Sequence, residues 1–131
     1  MKILIIEDDP VSMKLVSAVL QAGGHDVLPA MSADQAMVSV KTFRPDVILL
    51  DLQLPGIEGF SVARQCRANP ATRLIPIIAV TAFSEDYRRA DALEAGCDSY
   101  LIKPLNTRTL LQQVESVVFE KAQQFQGEPL P

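Results

Sequence analysis

Carboxylates, a hydroxyl and an ammonium stand directly after four apolar runs of this 131-residue chain. Glu7, Asp8 and Asp9 follow Ile3 to Ile6, Asp51 follows Val47 to Leu50, Thr81 follows Ile75 to Val80, and Lys103 follows Tyr100 to Ile102. If the run ends converge, at least three carboxylates share one crevice, where a pair ~4 Å apart repels by roughly 4 kcal/mol at an effective dielectric near 20. A hard divalent cation resolves that repulsion, and a few carboxylates with carbonyl and water oxygens describe Mg²⁺ better than a Ca²⁺ cage. Asp51 then becomes a carboxylate nucleophile able to form an acyl phosphate. Mg²⁺, Lys103 and Thr81 would neutralise or hydrogen-bond the three phosphoryl oxygens. Each residue also has a plain structural reading: Asp8 and Asp9 suit a helix N-terminus, threonines end strands, and Lys103 could be a solvated charge. The agreement of four run ends favours the chemical reading.

Convergence requires a particular fold. The apolar runs, with Val27-Leu28 as a fifth, are continuous rather than alternating, as expected for parallel strands covered by helices on both faces. Helical segments separate them. The first is predicted over Pro10 to Ala22, with Pro10 in its first turn and Gly23-Gly24 stopping it. A second follows the N-cap Ser32 and ends at Arg44-Pro45. A third spans Gly59 to Ala68, a fourth spans Glu85 to Ala95 with Ser84 as cap and Gly96 as stop, and a fifth runs from Thr107 towards Gln123. The polar remainder, Gln124 to Pro131, is predicted not to continue that helix. Five βα units with right-handed crossovers predict an α/β, doubly wound, five-stranded parallel sheet in the flavodoxin-like order 2-1-3-4-5. In that order strands one and three are neighbours, and ligands sit outside the carboxyl ends of the strands.

The stretches ILIIEDDP, DVILLDLQLPGIEG, IIAVTA and SYLIKPL, in this order and spacing, resemble the receiver domain of bacterial two-component response regulators, in its single-domain CheY-like form. The resemblance spans about Lys2 to Ala122. It implies a receiver domain over residues 1–122 and a flexible tail over 123–131, with Asp51 as phospho-acceptor and Lys103 and Thr81 as catalytic partners. It implies Asp8, Asp51 and the backbone carbonyl of Gln53 as Mg²⁺ ligands, with Glu7 holding the metal through water and Asp9 not needed. Lys103-Pro104 is expected in cis. Thr81 and Tyr100 are the expected switch pair: phosphorylation draws Thr81 inward and Tyr100 fills the space it leaves. Readout is expected on helix four, strand five and helix five, where Arg88, Arg89, Tyr100 and Thr107 lie; Arg88-Arg89 read more simply as a solvated helix face. Phe83, two residues beyond Thr81, cannot orient water, so a long-lived phosphoryl group is expected, with Gln53 the one nearby amide.

Composition narrows the partners. Twelve basic against sixteen acidic residues give a formal charge of −4, and no Lys/Arg-rich run offers a footprint for nucleic acid. No stretch approaches the roughly 18 apolar residues of a membrane span, so a cytoplasmic protein is expected, with Cys66 and Cys97 as inert reduced thiols lacking a cationic neighbour. His25, the sole histidine, lies at the opposite end of the strands from the acidic cluster, so the phosphohistidine donor must be another protein, a sensor histidine kinase or a histidine phosphotransfer protein. Output is expected through a downstream protein, from a monomer or a phosphorylation-dependent dimer, with no direct nucleic-acid or membrane contact. The rival readings are a receiver excised from a hybrid kinase or multidomain regulator, and a small Mg²⁺-dependent aspartyl phosphatase. The latter usually carries D-x-D on its first strand and a cap domain, for which there is no room. A flavodoxin-type binder lacks any glycine loop to cradle a phosphate.

Overall fold

The structure is a computed structural model that describes residues 1–53, 58–82 and 89–126. Five parallel strands, β1 (Lys2–Ile6), β2 (Asp26–Ala30), β3 (Val47–Asp51), β4 (Ile77–Thr81) and β5 (Ser99–Ile102), form one sheet in the order β2-β1-β3-β4-β5. Helices α1 (Pro10–Ala22), α2 (Ala33–Phe43), α3 (Glu58–Ala68), α4 (Arg89–Ala95) and α5 (Leu110–Gln126) alternate with them. This is the expected doubly wound fold. Among the described residues no helix is long and apolar enough to cross a membrane.

Side chains still alternate along each strand, although nearly every one is apolar. Ile3, Ile5, Val47, Leu49, Ile78 and Val80 pack on one face with Met13 and Leu20 of α1 and Leu110 and Val114 of α5. Leu4, Ile6, Ile48, Leu50, Ile77 and Ala79 pack on the other with Val40, Val62 and Ala92 of α2, α3 and α4. Two cores therefore sandwich the sheet, and the continuous hydrophobic runs are the consequence.

Local chemistry explains where the elements differ from expectation. β2 is longer than Val27-Leu28 because it continues through Pro29, which an edge strand tolerates. β4 begins at Ile77 rather than Ile75, since the Ile75 N–H is turned back to the Thr72 carbonyl and Pro76 has no N–H. α5 begins at Leu110, three residues after Thr107. Asn106 organises a turn there, its side chain accepting from the Arg108 N–H at 2.9 Å and its carbonyl from the Thr109 and Leu110 N–H groups. At its other end α5 continues through Gln124 to Gln126, because the first helix breaker is Gly127. Phe83, the predicted cap Ser84, the first predicted turn of α4 including Arg88, and residues 127–131 of the tail lie outside the described residues.

Candidate functional site

Strand register brings the charged residues together. Ile6 pairs with Leu50, so Glu7 and Asp51, the next residue on each strand, lie level. Asp51 pairs with Val80, which sets Thr81 one residue further along, and Thr81 pairs with Ile102, which sets Lys103 one further again. The β1–β2 ladder extends one rung past the strand, with the Glu7 N–H donating to the Ala30 carbonyl at 3.0 Å. Glu7 is thereby held at the sheet end rather than released into the loop.

Burial separates the acidic residues. Glu7 and Asp51 are buried, at 5% and 3% exposure, whereas Asp8 is exposed. One carboxylate oxygen from each of Glu7, Asp8 and Asp51 lies within 4.8 Å of the other two. Asp9 is engaged elsewhere: as N-cap of α1 it accepts from the Ser12 N–H at 3.2 Å and the Ser12 hydroxyl at 2.8 Å, which hold its carboxyl below the usual range.

Lys103 closes the cluster. Its Nζ donates to Asp51 Oδ2 and to Glu7 Oε2, both at 3.2 Å, and its backbone N–H donates to the Thr81 carbonyl at 2.8 Å. The Lys103-Pro104 peptide is cis. Burial opposes the ammonium charge, but the charges of Asp51 and Glu7 and the hydrogen bonds to them outweigh it and hold Lys103 above its ordinary value. The Glu7 carboxyl is raised as well: burial, a hydrogen bond with Asp51 and the Asp51 charge push it up to about 8, against the pull of Lys103. One ammonium does not neutralise two buried carboxylates. An oxygen-rich donor set with an excess of negative charge is the chemistry of a divalent cation site, and Mg²⁺ fits it.

A cavity of about 370 Å³ opens beside these groups, lined by Glu7, Asp51, Lys103, Ser12 and Ala82 at its polar end and by Leu105 among its apolar walls. Thr81 is fully buried. Tyr100 is half-buried on β5, paired in register with Ala79 and packed against the core beneath α4. Gln53 makes two contacts at the site: its N–H donates to Asp51 Oδ1 at 2.9 Å and its side-chain Oε1 accepts from the Ala82 N–H at 3.2 Å. Nothing in the sequence singles out Ala82, because its contribution is a backbone N–H whose direction depends on the loop. Gly59 is tight against the same backbone. A Cβ there would sit 3.1 Å from Leu52 Cα and 3.3 Å from the Asp51 carbonyl oxygen, so the N-terminal turn of α3 braces the end of β3.

The remaining expectations fall away from this cavity. The ring of His25 places Nδ1 2.9 Å from the Met1 amino group and Nε2 3.9 Å from Glu115. Cys66 and Cys97 are buried and unbridged, but the expected lack of a cationic neighbour is corrected: Arg67 lies beside both. Its charge opposes burial without overcoming it, and burial raises both thiols, Cys97 to about 12. Arg67 reaches them because its guanidinium folds inward, donating to the carbonyls of Gly96, Arg73 and Ile75 and to Asp98.

Residues 3–115 match the family model of the response regulator receiver domain. The chain is 33% identical over 117 residues to Protein PilH of Pseudomonas aeruginosa, a match covering 89% of this chain and 97% of that protein. It is 34% identical over 117 residues to the DNA-binding dual master transcriptional regulator RpaA of Synechocystis, covering 89% of this chain but 48% of RpaA. The chain thus spans about half the length of that regulator. Among solved structures, the receiver domain of the sensor histidine kinase PA1611 from P. aeruginosa, with a magnesium ion coordinated in its active-site cleft, superposes with a TM-score of 0.82 at 35% identity, covering 90% of this chain and 97% of that one.

Proposed function

Because the chain belongs to the response regulator receiver domain family, a phosphorylation-dependent switch of two-component signalling, we propose that Asp51 is its phospho-acceptor. The observation that carries this is the contact of a buried Asp51 with Lys103 at 3.2 Å, beside two further carboxylates. Asp51 attacks the phosphorus of a phosphohistidine presented by a sensor histidine kinase or histidine phosphotransfer protein. The P–N bond breaks, and the imidazole of the donor leaves with a proton from solvent. Lys103 stays in contact with the acceptor carboxylate and donates to the transferred group, joined by the Thr81 hydroxyl. Asp8, Asp51 and the Gln53 carbonyl would hold Mg²⁺, with Glu7 behind them, and the ion supplies charge neutralisation for the phosphoryl oxygens.

The phosphoryl group adds roughly −1.5 to −2 of charge to the cavity. Thr81 and Tyr100 pass this to the surface of α4, β5 and α5, where Arg89, Tyr100, Ile102 and Asn106 line a groove. The output is contact with a downstream protein, by a cytoplasmic chain acting as a monomer or as a phosphorylation-dependent dimer. Catalysis is limited to its own phosphorylation and slow dephosphorylation. PilH, matched over almost its whole length, favours a stand-alone receiver. The match to half of RpaA supports the second reading, a receiver within a larger regulator. Incubation with acetyl phosphate and Mg²⁺ tests the proposal by intact mass. Wild type gains one phosphoryl group and Asp51→Asn gains none; no adduct on wild type, or one that survives in the variant, overturns it.

A further inference from the structure

Two hydrogen bonds of one residue link Asp51 to Ala82, both of which line the acceptor cavity. Gln53 gives its N–H to Asp51 Oδ1 and takes the Ala82 N–H on its side-chain Oε1. Ala82 immediately follows Thr81 and lines the same cavity as Asp51 and Lys103. The ends of β3 and β4, neighbours in the sheet, are therefore strapped together by a single carboxamide. We propose that the Gln53 side chain is a latch: it stabilises the unphosphorylated arrangement by occupying the Ala82 N–H, and a phosphoryl group on Asp51 opens it by taking that donor. The proposal rests on the receiver reading above.

The donors around Asp51 are already committed. Oδ1 holds the Gln53 N–H, Oδ2 holds the Lys103 ammonium, and that ammonium is shared with Glu7. Phosphorylation brings in three strong acceptor oxygens that need new partners. A backbone N–H at the cavity edge is a fixed donor, and a hydrogen bond to a charged oxygen is about twice as strong as one to a neutral carboxamide. The exchange therefore runs towards the phosphoryl group, but only after the bond to Gln53 breaks. A contact made in one state alone biases the equilibrium by its own worth. For a neutral hydrogen bond that is roughly two- to tenfold.

Gln53→Met keeps the length of the side chain and removes the acceptor; Gln53→Leu removes it with a different shape. Each is titrated, as the full chain with Mg²⁺, with beryllofluoride as the phosphoryl mimic, and the Ala82 amide is followed by NMR. Both variants are expected to bind beryllofluoride roughly two- to tenfold more tightly than wild type. The free-state Ala82 amide should move relative to wild type, and the bound-state amides should coincide. Unchanged or weaker binding by both variants overturns the latch, as does an Ala82 amide that the substitutions leave in place. A site merely disrupted by substitution loses affinity rather than gaining it. Wild type that takes neither beryllofluoride nor phosphoryl defeats the receiver reading itself, whereas wild type that binds as tightly as the variants defeats only the latch.

Discussion

Glu7→Gln isolates the electrostatic cost that the acceptor site imposes on the metal-free fold. Glu7 ionises near 4.5 in a free chain and near 8 in the fold, because burial and Asp51 disfavour its charge. At 1.36 kcal/mol per pH unit, that difference is worth about 5 kcal/mol between the protonated and ionised forms. Between the two values the unfolded chain binds fewer protons than the native one, so native stability falls as pH rises and levels off above 8. From pH 6 to 8.5 the expected loss from Glu7 alone is about 3 kcal/mol. Other shifted groups leave this window clear: Lys103 and both thiols are raised from values of 10.5 and 9, and Asp9 is lowered from 3.8. Urea unfolding in EDTA across the interval measures the effect. Wild type should lose stability steeply while Glu7→Gln stays nearly flat, and saturating Mg²⁺ should flatten wild type by replacing the proton as the counter-charge. Parallel slopes for wild type and variant in EDTA would refute the assignment of the buried charge to Glu7.

Other substitutions probe the frame around the site. Arg67→Met removes a fork that serves three carbonyls and Asp98, and should cost about 1–3 kcal/mol in urea unfolding, because the part-buried acceptors of Gly96, Ile75 and Asp98 lose their donor. An unchanged midpoint would show those carbonyls to be solvated. Gly59→Ala should destabilise by about 1–3 kcal/mol although alanine favours helices, since its methyl group meets backbone rather than a movable side chain; a more stable variant would mean that α3 can slide. Cys97 should resist iodoacetamide in the native state up to pH 9 and react once urea is added, given a thiol raised to about 12. Native labelling at the unfolded rate would contradict its burial.

Much of this molecule is written locally. Ile3 to Ile6 and Val47 to Leu50 read as strands buried on both faces, and the two cores on either side of the sheet are the reason their hydrophobicity does not alternate. Ser32 and Asp9 cap the helices they precede, because a cap needs only a side-chain oxygen and the N–H groups two or three residues later. The site was legible for a related reason: in a parallel α/β sheet chemistry gathers at the carboxyl ends of strands, so the first polar residue after each apolar run marks a candidate. Boundaries were less legible wherever one residue redirected the backbone, as Pro76 does before β4 and Asn106 before α5.

Residue order was enough to read the five βα units and to set Asp51, Thr81, Lys103 and the acidic run at strand ends, since these depend on patterns within a few positions of each other. It could not establish which acidic residue is buried, that Arg67 turns inward to serve carbonyls and Asp98 up to 31 residues away, or that Gln53 spans 29 residues to hold Ala82. Those outcomes depend on strand register and loop direction, which set where a backbone N–H points and which carboxylate loses its water, and a linear sequence carries neither.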